Sequence, residues 1–121
     1  MIFDVEVVLR ESNHAVTERI VIPTLTEHAA RAWTDVDVEQ ILKEILLAID
    51  RVRNPQTNDR YVALRSFSWI VEPAAEGGVV IAIEISSGAA VAGPFAIDQA
   101  TLDRIIARVV AAATPVRPVV H

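Results

Sequence analysis

Cysteine is absent from this 121-residue chain. Disulfides, thiolate metal sites and cysteine nucleophiles are excluded by that alone, and the absence fits a reducing compartment. Histidine is scarce: His14 falls in a turn, His28 in a short helical stretch and His121 at the end. No two of them share the i,i+4 spacing of a metal-binding helix, so they read as surface residues. Basic residues are outnumbered, 11 Lys and Arg against 16 Asp and Glu, for a net charge of −5. A phosphate backbone calls for clustered cations in a favourable field, so nucleic acid is not an expected partner.

Long apolar runs are missing too. None approaches the roughly 20 residues of a membrane-spanning helix, and the longest candidate, "GAAVAGPFAI", contains Gly and Pro. The opening "MIFDVEVVLR" carries acids early and no basic start, unlike a secretory signal. No membrane association and a cytoplasmic location are the expectations.

Apolar side chains are abundant: 52% of residues are hydrophobic and the mean hydropathy is +0.37. A small domain of that character is expected to cover part of its surface with another chain. The length suits one domain with a core of its own. We assign it residues 1–114, with the two-proline segment 115–121 as a loosely ordered tail.

The periodicities give seven main elements. Residues 2–10 alternate, with Phe3, Val5, Val7 and Leu9 on one side, and "VTERIVIP" returns as the second strand of a hairpin. "TLTEHAARAW" can open a short helix capped by Thr26. A stronger helix follows Thr34 or Asp35 as cap. Its stripe is Val38, Ile41, Leu42, Ile45, Leu46, Ile49 and Val52, and it ends near Pro55. A long strand is expected over 60–71, then strands at 79–86 and 89–97. Gly88 is expected to take positive φ in the turn between these last two, and Pro94 to mark an edge or a strand end. Asp98 caps the last helix, whose stripe is Leu102, Ile105, Ile106, Val109 and Val110. The order β-β-α-β-β-β-α predicts an α+β fold: a single antiparallel sheet with both helices packed on one face.

The order helix–three strands–helix resembles double-stranded-RNA-binding domains. Those place basic residues at the start of the last helix, where this chain reads "AIDQATLDR". The hairpin–helix–meander–helix order is similar to dimeric scaffold domains of the roadblock type, in which a helix precedes the first strand. Neither likeness carries functional residues across.

Catalytic motifs do not emerge. Asp35, Asp37 and Glu39 suit a helix N-terminus and lack the calcium-loop register. "SSGAAVAGP" continues with Pro94 and Phe95, where a phosphate loop needs Lys and Ser or Thr. Ser86 and Ser87 have no assigned base, and turn chemistry accounts for them. We expect no catalytic residues, no metal and no cofactor. Two features remain. Arg51, Arg53 and Arg60 flank amide-rich "NPQTND" and form a candidate anion-binding group. Tyr61, Arg65, Phe67 and Trp69 share one side of the strand expected at 60–71. Were Arg65 buried there, Glu84 could pair with it across the sheet. We expect the aromatics on the open face as interface anchors. The reading is a non-enzymatic interaction or assembly module, homodimeric through a sheet face or edge strand or bound to a protein partner. The alternative is an anion-binding protein or modest enzyme with a pocket near 51–61.

Overall fold

The computed structural model describes residues 1–25 and 33–113. The elements are β1 (Ile2–Leu9), β2 (Ala15–Val21), α1 (Asp35–Arg53), β3 (Ser68–Pro73), β4 (Val79–Ile85), β5 (Gly88–Phe95) and α2 (Gln99–Ala113). One five-stranded sheet has the order β2-β1-β5-β4-β3, and every neighbouring pair is antiparallel. The α+β class, element order and single sheet are as expected. The short helix expected near Thr26 and the tail 115–121 lie outside the described residues.

Alternation along each strand sorts the two faces. Phe3, Val5 and Val7 of β1, Ala90 and Ala92 of β5, and Ile81 and Ile83 of β4 are buried on one of them. The buried stripes of both helices close over that face, Ile41, Ile45 and Ile49 from α1 and Leu102, Ile106 and Val109 from α2. The opposite face has no covering element among the described residues. There Ile70 of β3, Ala82 of β4 and Val91 of β5 stand in register across the sheet, with Ile70 52% and Val91 43% exposed.

The helix ends follow local chemistry. Thr34 Oγ1 accepts from the Asp37 amide, and the Asp37 carboxylate accepts from the Thr34 amide, a reciprocal cap. Asp98 accepts from the Thr101 amide at 3.0 Å at the start of α2. Glu39 and Lys43 pair at 3.0 Å one turn apart. Arg108 on α2 donates to Asp35 on α1 at 2.8 Å, tying the helices together on their outer side.

Two expectations change. The strand expected at 60–71 is ordered as β only from Ser68 to Pro73. Arg60 is drawn back to α1 by Asp50 at 2.8 Å and by the Asn54 carbonyl at 2.9 Å. Ser66 then takes a left-handed φ of 62°, so no extended ladder can run through 60–67. Pro94 marks a strand end, one of the two places expected for it: it sits at the far end of β5, the central strand. Gly88 does not need positive φ; Gly77 and Gly78 do, in the turn before β4. Gly88 is required by proximity instead. A Cβ there would stand 2.6 Å from the Val8 carbonyl oxygen.

Gly88→Ala is therefore expected to lower the free energy of unfolding by about 1–3 kcal/mol, the usual cost of forcing one carbon into a packed site. The readout is a lower urea midpoint with an unchanged slope. An unchanged midpoint would mean that β1 yields freely at Val8.

Candidate functional site

The arginine group separates once its partners are known. Arg51 Nε donates to Glu18 Oε1 at 2.9 Å, joining α1 to β2. Arg60 is spent on Asp50 and the Asn54 carbonyl, and its side chain is only 13% exposed. Arg53 has no ion pair among the described residues, and neither has Arg65. Both line one cleft of about 250 Å³ between the end of α1, the 62–66 segment and the β4–β5 turn. Leu46, Ile49, Val62 and Ile85 are apolar residues of its lining; Ser66, Ser86 and Ser87 join the two arginines among the polar ones. Of the three arginines read from the sequence, the cleft keeps Arg53 and gains Arg65.

Asp50 also faces this cleft. The Arg60 guanidinium hydrogen-bonded to it holds its carboxyl below the ordinary value of 3.8, and the Asn54 amide and the charge of Arg53 act in the same direction. Burial opposes the Arg60 hydrogen bond and outweighs either the Asn54 amide or the Arg53 charge taken singly, but the net direction stays downward. Ser87 Oγ is buried beside the cleft with no hydrogen-bond partner.

The aromatic set is not an open-face cluster. Trp69 stands opposite Ile83 and shares the helix-covered face with Val71 and Ile81. Phe67 packs partly buried against the same core. Tyr61 is 88% exposed but lies in the irregular segment before β3. Ile70 takes the open-face place expected for Trp69. The reason is length: only Ser68–Pro73 pairs with β4, and the register that buries Val71 against Ile81 carries Trp69 inward with it. The cross-sheet pair of Arg65 with Glu84 does not form; Glu84 lies opposite Ser68 on the open face.

The two sheet edges are unlike. On β3, Gln99 Nε2 donates to the Val71 carbonyl at 2.8 Å. Trp69, Val71 and Pro73 share one ladder side, and Pro73 has no N–H to offer. That edge is blunted in the usual manner. On β2, Ile22 and Met1 exchange hydrogen bonds at 2.8 Å each. This sets the ladder phase, so that Val16, Glu18 and Ile20 aim their backbone at β1. The backbone groups of Ala15, Thr17, Arg19 and Val21 point away from the sheet, without partners among the described residues. Neither the edges nor Ser87 carried a signal in the sequence, because ladder phase and burial both depend on distant segments.

No protein-family model matches this chain, and no curated protein or solved structure matches it either.

The Asp50–Arg60 pair makes a pH prediction. A carboxylate whose folded pKa is depressed contributes stability that is complete above its unfolded value and is lost as pH falls through the folded one. Between about pH 5 and 2 the melting temperature of the wild type is expected to fall more steeply than that of Asp50→Asn, which has no such contribution to lose. Parallel curves over that range would contradict the assignment.

Proposed function

We propose that this chain is a non-enzymatic assembly module that pairs with a second copy of itself through the free edge of β2. The observation that supports this reading is the asymmetry of the edges. β3 is stopped by Gln99 and Pro73. β2 leaves the backbone of Ala15, Thr17, Arg19 and Val21 open to another strand.

The β2 sequence suits self-pairing about Glu18. An antiparallel partner in that register sets Thr17 opposite Arg19 and Ala15 opposite Val21, the outward-facing residues that exchange hydrogen bonds. Val16 then meets Ile20 on the helix side. Glu18 meets Glu18 on the axis, and each is already compensated by its own Arg51 at 2.9 Å. Centring on Arg19 would instead oppose two guanidinium groups compensated only by the longer, more exposed contact with Asp4 at 3.4 Å, which disfavours that register. The apolar composition fits a chain that shares surface with a copy, and the isologous contact closes on itself. In the pair the open faces join, and the stripe of Ile70, Ala82 and Val91 is presented on both halves.

Light scattering at about 100 μM, a concentration suited to contacts of micromolar affinity, is expected to give a dimer. Thr17→Pro removes an outward N–H, a substitution edge strands tolerate, and is expected to give a monomer with native far-UV circular dichroism. Should that variant fold poorly, hydrogen exchange of the wild-type Thr17 and Arg19 amides supplies the second readout, slowing as protein concentration rises. A monomeric wild type, or exchange at those amides independent of concentration, overturns the reading.

A further inference from the structure

The cleft at the end of α1 has features that self-pairing of β2 does not use. Its two cations are uncommitted. Arg51 and Arg60, their neighbours in sequence, are each spent on a carboxylate within 2.9 Å, whereas Arg53 and Arg65 form no ion pair among the described residues. Ser87 holds its hydroxyl buried and unpartnered beside them. A buried hydroxyl without a partner is uncommon in a folded chain, and each instance calls for an explanation. Ser87 is one of the residues that line the open cleft, and rotation of its side chain would carry the buried hydroxyl to an entering acceptor.

We propose that this cleft binds a small monocarboxylic acid with an apolar body, its carboxylate held by Arg53, Arg65 and the Ser87 hydroxyl. A guanidinium fork matches a carboxylate in two-point fashion. The apolar body lies against Leu46, Ile49, Val62 and Ile85. A volume of about 250 Å³ suits a short organic acid better than a nucleotide. A singly charged head is favoured over a doubly charged phosphate because Asp50 shares the cleft and lies within the field of Arg53. The wall has hydrophobic side chains where a bare inorganic anion would need donors all round. Nothing in this assignment depends on dimerisation.

Butyrate, acetate and inorganic phosphate are the probes, followed by amide and arginine Nε–H resonances of the full chain at fixed ionic strength. Butyrate is expected to give saturable shifts centred on Arg53, Arg65, Ser66 and Ser87. Its affinity is expected to exceed that of acetate by about tenfold, from two additional buried methylenes. Arg53→Gln and Arg65→Gln are each expected to weaken butyrate by about tenfold or more. Ser87→Ala separates binding from folding. It removes an unpartnered hydroxyl, so the melting temperature is expected to hold or rise while butyrate affinity falls. Several results overturn the proposal: no saturable shift with butyrate, shifts centred elsewhere, or affinity unchanged in the Arg53→Gln/Arg65→Gln double variant. Acetate binding as well as butyrate would remove the apolar body, and phosphate saturating the site where butyrate does not would remove the carboxylate.

Discussion

A five-stranded sheet buried on one face is held by how closely α1 can approach its central strand, with α2 packed beside it against β3. β5 runs through the middle of the sheet and offers Gly88, Ala90 and Ala92 to the covered side. These short side chains leave room for the long ones of α1, where Ile41, Leu42 and Ile45 are fully buried. The larger residues of β1 and β4 flank that trough. Phe95 closes one end of it, edge-on to Phe3 and Trp33 at 5.1 and 5.6 Å between ring centres. Small residues in the centre and large ones on the flanks give a dense core. The same arrangement fixes which side of every strand faces water.

Charge is distributed as a consequence. The segment that crosses from β2 to β3 by way of α1 brings Arg51 over Glu18 and Arg60 back to Asp50. Those contacts neutralise two arginines and hold the chain from 60 to 67 out of the sheet. Arg53 and Arg65 are left facing a common cleft because their neighbours have taken the nearby carboxylates. The proposed anion site and the shortened β3 are thus two outcomes of one local pairing. Ser66 marks the point where the chain turns from that pairing into the ladder, and its left-handed backbone costs about 1–3 kcal/mol at a non-glycine residue.

The edges differ for a related reason. α2 begins beside β3, so Gln99 lies within reach of the Val71 carbonyl. β2 packs Ile20 into the core beneath the helices, and among the described residues α1 sends it one side-chain hydrogen bond, from Arg51 to Glu18. A strand whose outward amides are left open is a template for another strand, and the alternation within "AVTERIV" decides which residues it would offer.

The sequence by itself determined the parts governed by neighbours within a few positions. The apolar stripes of both helices, the Thr34 and Asp98 caps, the Glu39–Lys43 pair, the hairpin of β1 and β2 and the order of elements all follow from spacings of two, three or four residues. Contacts between distant segments were decided only by the tertiary structure. "DRYVALRSFSWIV" alternates well enough for a long strand, and nothing local says that Asp50 will hold Arg60. Trp69 and Ile70 are both apolar, so periodicity alone could not choose which of them faces the helices. Pairing of Val71 with Ile81 chose, because the side-chain period of two then sends Trp69 inward and Ile70 out. The place of Pro94 in the central strand, the freedom of Arg53 and Arg65 and the open edge of β2 have the same origin. Each depends on what another part of the chain brings alongside.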